Sequence, residues 1–251
     1  MQIRRFYLPQ TLDQPGATVS LPPAEAQHAL RVLRLEAGDR LQLLNGEGEK
    51  AECVLVSRGE GRSCREAVCQ ILSCRRFSRP ALSPVLLVAP PRGKAFDLVL
   101  KASVELGFRG IQPILCTYGV SRPEEVSEGW KETLVGAMKQ SGNPFLPPLL
   151  PPLTFRQALL QYPPGDGAVF GASPAAEATE RRPLGPAAAL GCSALWVGPE
   201  GGFSPEEETA LLQAGALPVT LGESVLRVET AVPALMGCLL GIASLEETAR
   251  I

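Results

Sequence analysis

The chain has 251 residues, 45% hydrophobic and 20% charged, which is typical of a globular protein and too apolar for a disordered one. Its 25 Gly and 24 Pro residues are not arranged periodically, which excludes a collagen-like chain. Residues 1–80 contain 12 Lys and Arg against 9 Asp and Glu, whereas residues 81–251 contain 12 against 17. The basic N-terminal part favours a polyanionic partner, unless its arginines are simply solvated surface residues.

No run of 18 apolar residues is free of charged residues and proline, so we expect no transmembrane helix and no membrane partner. The first residues lack the apolar core and cleavage site of a secretion signal. The seven cysteines form no C-x-x-C motif, and we expect them to be reduced thiols in a cytoplasm. Cys64, Cys69 and Cys74 are evenly spaced, but zinc sites favour closer pairs and the only histidine is His28, so we expect no metal.

Residues 1–76 are predicted to form short strands bounded by Gly, Asn or Pro, as in a small β-barrel. One helix interrupts them over residues 22–34, where prolines suit the first turn and apolar residues share one face. His28, Arg31 and Arg34 then project away from that face. The alternative to a functional role for His28 is that it is simply a partly buried surface histidine.

Residues 77–84 are predicted to be a linker, and residues 85–251 alternate between strand and helix patterns. Such alternation indicates a parallel sheet covered by helices. The predicted strands are VLLVA (85–89), IQPILC (111–116), GAVFGA (167–172), SALWVG (193–198) and LPVTLG (217–222).

Three loops follow late strands of this sheet, and ligands of open α/β sheets bind outside the carboxyl ends of the strands. The first loop begins at Ser173, the second is GPEGGF (198–203), and the third is LGESVLRVET (221–230). Because these strands are parallel, we expect the loops to meet at one edge.

The second and third loops carry the candidate functional residues. Gly201 and Gly202 would let a ligand approach the backbone, although GPEGG could also be only a tight strand-to-helix turn. Ser204 and a Glu three residues later predict a capping box at the start of the next helix. Arg227 and Glu229 would lie beside the same edge, either as functional side chains or as a structural ion pair.

The sequence lacks the motifs of several common ligand-binding and catalytic sites. The chain has no G-x-x-x-x-G-K-[ST] phosphate loop, and the first strand of the sheet is followed by APPRGKAF rather than by a dinucleotide fingerprint. A single histidine in a separate domain makes a Ser-His-Asp hydrolase site implausible.

The motifs WVGPEGGFSPEE (196–207) and LGESVLRVETA (221–231) together resemble the signature of RsmE-type small-subunit ribosomal RNA uridine-N3 methyltransferases, in the SPOUT superfamily. The resemblance covers nearly the whole chain. Other segments in the family's order are RRFYLP (4–9), HALRVLRLEAGDRLQLLNG (28–46), GKAFDLVLKASVELGFRGIQPILC (93–116) and KQSGNPFLP (139–147).

The resemblance implies an N-terminal PUA-like β-barrel that binds RNA and a C-terminal α/β domain of the SPOUT type with a trefoil knot. It also implies a homodimer and the cofactor S-adenosylmethionine, with no metal. The residues expected to contact the cofactor are Gly171, Ala172, Ser173, Gly198, Pro199, Glu200, Gly201, Gly202, Leu221, Gly222, Val225 and Leu226.

The implied reaction is methylation of uridine N3 in small-subunit (16S) ribosomal RNA, which requires proton removal and stabilisation of charge on O2 and O4. Arg227 stays protonated, so it would donate to the base carbonyls or anchor a phosphate. Glu229 would accept the N3 proton or orient Arg227, and its place in the first turn of a helix favours the orienting role. The candidate RNA contacts are Arg4, Arg5, His28, Arg31, Arg34 and Lys94.

Four residues depart from the family pattern, namely Lys139, Pro144, Phe145 and Val228. They leave the expected cofactor site intact but concern regions expected to handle the target base. The alternatives are therefore a SPOUT methyltransferase with another RNA target, or a catalytically silent RNA-binding or ribosome-assembly protein.

Overall fold

The structure is a computed structural model that describes residues 3–58, 66–172 and 185–249. The chain forms two compact units. The first comprises residues 1–79 and 135–146, and the second comprises residues 80–134 and 147–251. The sequence division places residues 135–146 with the C-terminal domain. In the structure they join the first unit, where Leu146 N–H donates to the carbonyl of Gly46 at 2.8 Å.

A five-stranded sheet dominates the first unit. Its strands are β1 (Arg5–Tyr7), β2 (Thr18–Ser20), β3 (Arg40–Leu44), β4 (Glu49–Arg58) and β5 (Ala67–Arg76). They lie in the order β1-β3-β4-β5-β2, with β1 parallel to β3 and the other neighbours antiparallel. Register shifts between β4 and β5 bend the long strands around a core that includes Phe6, Leu43 and Leu55.

The predicted helix of this unit is present but irregular. It begins as α1 (Pro23–Gln27), with a proline in its first turn as predicted, and continues as a π-helical turn over His28–Val32. Ala26 and Leu30 are buried, whereas Arg31 and Arg34 are exposed. Arg34 ends the turn with a φ of 52°, a left-handed conformation that costs a non-glycine residue free energy.

A six-stranded, wholly parallel sheet forms the centre of the second unit, which confirms the predicted parallel sheet. The strand order is β11-β9-β10-β6-β7-β8. The strands are β6 (Val85–Val88), β7 (Gly110–Leu115), β8 (Leu153–Thr154), β9 (Ala168–Gly171), β10 (Ala194–Val197) and β11 (Leu217–Val219). The sequence did not predict β8, a two-residue edge strand within a proline-rich segment.

The remaining helices follow these strands. They are α2 (Ala95–Glu105), α3 (Glu128–Ser141), α4 (Phe155–Gln161), α5 (Pro186–Leu190), α6 (Pro205–Gln213) and α7 (Val228–Ala249). The capping box predicted for α6 is confirmed, since Ser204 and Glu207 each accept from the other's backbone N–H. The sequence did not predict the short helix α5.

Helix α7 is long and apolar enough to cross a membrane by length and composition, over Val228–Leu245. Core helices pass the same test. The window contains Glu229 and Pro233, 33% of it is buried, and α7 packs against α2, α5 and β10. These contacts pack one side of α7 against the rest of the second unit.

Six cysteines lie in the described part of the chain, and all are free thiols. Burial raises the pKa of Cys53 to about 12 and the pKa of Cys69 to about 11. Cys64, one of the three evenly spaced cysteines, lies outside the described residues. Among the residues that the structure describes, no three His, Cys, Asp or Glu side chains cluster as metal ligands.

Candidate active site

A cavity of about 190 Å³ opens at the carboxyl ends of β9, β10 and β11. Its walls include the GPEGGF loop (198–203), the loop 221–230 and the first turns of α7. A cavity with apolar walls and a few polar groups is typical of a small-molecule site. The lining residues that the sequence predicted are Gly171, Ala172, Gly198, Pro199, Glu200, Gly201, Gly202, Leu221, Val225 and Leu226.

Of the described residues predicted to contact the cofactor, one is not part of this lining. Gly222 is absent from the cavity wall, and Ser173 lies outside the described residues. The sequence analysis missed several lining residues, three of which have helical spacing at the start of α7. That helical periodicity could have revealed Val228, Ala231 and Leu235 from the sequence. The missed residues are Val197, Val219, Thr220, Ser224, Val228, Ala231 and Leu235.

Other atoms approach two glycines of the cavity wall closely, and at Gly198 the approaching atoms belong to the backbone. A Cβ atom on Gly198 would lie 3.1 Å from the backbone nitrogen of Phe203. A Cβ atom on Gly171 would lie 3.2 Å from Cδ1 of Leu235. These glycines therefore keep the strand ends compact and leave backbone atoms accessible to a ligand.

A buried carboxylate joins the GPEGGF loop to the loop after β7. Glu207 is 6% exposed, and its Oε1 accepts from the Thr117 N–H at 2.8 Å and from the Thr117 hydroxyl at 3.1 Å. Its Oε2 accepts from the Ser204 N–H at 2.9 Å. The hydrogen bonds to Thr117 hold the neighbouring Tyr118 against Gly201, where an added Cβ atom would lie 3.1 Å from the tyrosine Cβ. The sequence analysis did not single out Tyr118.

Arg227 and Glu229 lie next to the cavity in sequence but do not line it. The Arg227 side chain is 82% exposed, and its Nη1 is 4.0 Å from Oε1 of Glu229. At that distance the ion pair is weak, so the guanidinium can reach a ligand in solution. Glu229 is 18% exposed and lies in the first turn of α7. Val228 between them is buried in the cavity wall.

The predicted RNA contacts are distributed over both units and differ in their surroundings. Arg5 donates to the carbonyls of Lys139 and Gln140 at 3.1 and 2.9 Å, so much of its guanidinium serves the end of α3. Arg4 lies 3.4 Å from the carboxylate of Asp39.

His28 is half-buried against the ring of Phe6, with ring centroids 5.9 Å apart. Arg31 and Arg34 are exposed in the first unit, and Lys94 is exposed in the second unit just before α2. The exposed cations are therefore better placed for RNA than Arg5 and His28.

Two departures from the family pattern have structural partners in the first unit. The ammonium of Lys139 lies 2.7 Å from a carboxylate oxygen of Glu25, and both side chains are largely buried. The Phe145 ring packs against Gly48, so closely that a Cβ atom added to the glycine would lie 2.7 Å from the phenylalanine Cε1. Both residues thus stabilise the first unit.

Comparison with known proteins assigns both parts of the chain. A family model described as an RNA methyltransferase domain matches residues 79–240, and an RNA methyltransferase PUA domain matches residues 21–63. Ribosomal RNA small subunit methyltransferase E of Mycobacterium bovis is 32% identical over 92% of this chain and 89% of its own length. The Synechocystis protein of the same name is 31% identical over 86% of this chain and 70% of its own length.

Among solved structures, the chain is similar to a ribosomal RNA small subunit methyltransferase E from Neisseria gonorrhoeae that is bound to S-adenosylmethionine. The two chains superpose with a TM-score of 0.83 at 30% identity, over 96% of this chain and 98% of the other.

Proposed function

Because the chain belongs to the ribosomal RNA small subunit methyltransferase E family, we propose that it methylates N3 of a uridine in small-subunit (16S) ribosomal RNA. The methyl donor is S-adenosylmethionine. The observation that carries the proposal is the cavity built by the GPEGGF loop and the loop 221–230, in a chain whose solved relative binds that cofactor.

The fold class predicted from the sequence is confirmed: a SPOUT-type α/β domain with an N-terminal PUA-like domain. The trefoil knot remains part of our proposal. We also propose the domain roles expected from the sequence, with residues 1–76 as the RNA-binding domain and residues 85–251 as the methyltransferase domain, except that residues 135–146 pack in the first unit.

The cavity residues fit the cofactor chemically. Val197, Leu226 and Leu235 supply apolar walls for a flat ring, and Thr220 and Ser224 supply hydroxyl groups. Backbone groups of the glycine-rich loop are accessible for hydrogen bonding to polar edges of the ligand. When bound, S-adenosylmethionine supplies a sulfonium methyl group for in-line displacement.

Arg227 is the residue that we assign to the target base. Its fixed positive charge stabilises the negative charge that spreads onto O2 and O4 as N3 loses its proton. Glu229, 4.0 Å away, orients the guanidinium, and the N3 proton leaves to water. The first turn of α7 stabilises an ionised carboxylate, which favours this positioning role over that of a base.

RNA binding is assigned to exposed cations of both units, chiefly Arg31, Arg34 and Lys94, with smaller roles for Arg4, Arg5 and His28. The partner is ribosomal RNA or the small ribosomal subunit. The free, mostly buried thiols of the described residues fit a cytoplasmic enzyme, which is where we place it.

A homodimer is part of the proposal because α7 leaves small and apolar residues exposed. Gly237, Cys238 and Gly241 are exposed, and Leu245 is 73% exposed. Small residues allow close helix approach, so a second copy of α7 would cover this surface. Light scattering should give twice the monomer mass, and Gly241→Arg should shift it towards the monomer.

The departures at Lys139, Phe145 and Val228 support a second candidate, methylation of a different RNA nucleotide by the same cofactor site. Val228 belongs to the cavity wall, while Lys139 is committed to Glu25. The departure at Val228 therefore lies in the wall of the proposed cofactor site, and not only in a region that handles the target base.

The test is methyl transfer from labelled S-adenosylmethionine to small ribosomal subunits that lack the modification, followed by mass-spectrometric mapping of the methylated nucleotide. We expect one N3-methyluridine. A methyl group on another nucleotide would select the second candidate. Binding of RNA without any S-adenosylhomocysteine binding would contradict both and favour a catalytically silent RNA-binding protein.

A further inference from the structure

Cationic and aromatic side chains are interleaved on the first unit, where β4, β5 and the loop after α3 meet. The guanidinium carbon of Arg75 lies 4.6 Å from the ring centroid of Phe77, and Nζ of Lys50 lies 5.2 Å from it. The guanidinium carbon of Arg79 lies 4.5 Å from the ring centroid of Phe145. We call these five residues the cation–aromatic strip.

Backbone pairing explains why the strip forms. Lys50 and Arg75 are directly opposite each other on β4 and β5, so their side chains share one face of the sheet. The Phe77 N–H donates to the carbonyl of Gly48 at 2.8 Å. A Cβ on Gly48 would lie 2.7 Å from Cε1 of Phe145 and 2.9 Å from the carbonyl oxygen of Phe77. Both aromatic residues therefore meet at this glycine.

The strip is accessible and its charge is only partly compensated. Arg75 and Arg79 are exposed, whereas Lys50 and the two rings are half-buried. Burial and then the positive charge of Arg5 lower the pKa of Lys50, Glu52 raises it, and Arg75 lowers it again, with a net lowering. Neighbouring cations thus disfavour one another, and an anion bound between them would relieve that repulsion.

Nearby carboxylates offset part of this charge, since Glu52 attracts the Lys50 ammonium. Glu49 is buried, and accepts hydrogen bonds from Leu12 N–H and the Asn45 amide. Glu52 accepts from the Gln42 amide at 2.6 Å. Glu47 is exposed and pairs through its backbone with Phe145, so it borders the strip.

We propose that the cation–aromatic strip binds a single-stranded segment of RNA. A guanidinium placed over a phenyl ring and exposed on its other side can take a nucleobase in a stacked arrangement, as an aromatic ring can. The ammonium and the guanidinium edges then contact the flanking phosphates. Double-stranded RNA fits less well, because its base faces lie inside the helix. An acidic protein also fits less well, because it would engage only the positive charges of the strip and not its rings.

This inference rests on the proposed function only for the substrate class, RNA. It adds a surface for a strand outside the reacting nucleotide. The strip shares no residue with the cavity, so cofactor binding reports independently on whether a variant is folded and competent.

Fluorescence anisotropy of a labelled single strand of about a dozen mixed nucleotides, at several salt concentrations, tests the proposal. Phe77→Leu with Phe145→Leu should weaken binding roughly tenfold and leave the salt dependence unchanged, because stacking carries no charge. Arg75→Gln with Arg79→Gln should weaken binding and reduce the slope of log affinity against log salt by about 0.7 for each lost phosphate contact.

The matched control removes two exposed cations elsewhere, Lys101→Gln with Arg156→Gln, and should leave RNA affinity within about twofold of the wild type. All variants should bind S-adenosylhomocysteine like the wild type. Duplex RNA of the same sequence should be insensitive to the ring substitutions.

Unchanged affinity in both strip variants, or no binding of the single strand by the wild type at low salt, would overturn the proposal. Displacement of the RNA by an equal charge concentration of polyglutamate would also overturn it, and would indicate an acidic protein partner. The wild type could fail to methylate any RNA while the strip variants still lose RNA binding. That result would reject the proposed function and retain the strip as an RNA-binding surface.

Discussion

The buried carboxylate of Glu207 accepts a partly buried hydrogen bond of 2.8 Å from the backbone N–H of Thr117, 90 residues away in the chain. The same carboxylate closes the capping box of α6. One side chain thus determines where the helix begins and where the neighbouring loop lies against the GPEGGF loop. This dual role makes Glu207 a positioning residue of the site.

Glu207→Ala should lower the free energy of unfolding by about 2 kcal/mol, because it leaves the buried Ser204 N–H and the partly buried Thr117 N–H without their charged acceptor. It should also weaken S-adenosylhomocysteine binding, since the contact between Tyr118 and Gly201 loosens. Thermal unfolding and calorimetric titration measure the two effects.

A matched control for Glu207 exists in α4, which has a capping box of its own formed by Thr154 and Gln157. Gln157 is exposed, so Gln157→Ala should cost only about 0.5–1 kcal/mol and leave cofactor affinity unchanged. Equal losses of affinity in both variants would show that Glu207 acts through general stability alone.

Gly198→Ala should abolish or strongly weaken cofactor binding. The added methyl group would meet the Phe203 nitrogen at 3.1 Å, and a backbone atom cannot move as a flexible side chain can. The control is Gly136→Ala in α3, where the Cβ meets no atom within 4 Å. That variant should raise the free energy of unfolding by about 0.5–1 kcal/mol and bind the cofactor normally. Normal binding by Gly198→Ala would contradict the loop geometry.

Arg227→Ala should keep cofactor affinity, because the side chain does not line the cavity, and should lose methyl transfer by about 100-fold or more. Arg227→Lys should restore little, since an ammonium lacks the planar set of donors. Single-turnover rates on small subunits measure the loss. Methylation by Arg227→Ala at the wild-type rate would show that the assignment to the target base is wrong.

Glu229→Gln separates orientation from proton transfer. A positioning role predicts a rate loss of about tenfold, with the same pH dependence as the wild type. A general base predicts a loss of about 100-fold or more and removal of the ionisation from the acidic limb of the pH–rate profile. The profile therefore decides between the two roles.

Stability should fall at alkaline pH because of the buried thiols. Burial raises the pKa of Cys53 to about 12 and the pKa values of Cys69 and Cys192 to about 11, from an ordinary 9.0. Above pH 9 the unfolded chain loses these protons first, so it binds fewer protons than the native state and the free energy of unfolding decreases.

This contribution is fully present below pH 9 and is lost as the pH rises towards 11 to 12. Chemical denaturation at a series of pH values should give a slope of up to about 1.4 kcal/mol per pH unit for each buried thiol. Cys192→Ala should reduce that slope. A stability that stays constant from pH 8 to 11 would show that these thiols are not buried in solution.

The sequence determined the features that depend on local pattern. The alternation from residue 85 onwards predicted the parallel sheet, and Ser204 with Glu207 predicted the start of α6, because periodicity and capping act over a few residues. Two glycine-containing motifs were sufficient to place most of the cavity wall at the ends of late strands.

The contacts between distant residues could be read only from the folded chain. It joined Glu207 to Thr117, and it turned the guanidinium of Arg5, a predicted RNA contact, towards the carbonyl groups at the end of α3. It also brought Phe145 to Gly48 within the first unit. Such contacts depend on packing between segments about 90 to 135 residues apart. A residue's type and its neighbours in sequence carry no record of which surface it will meet.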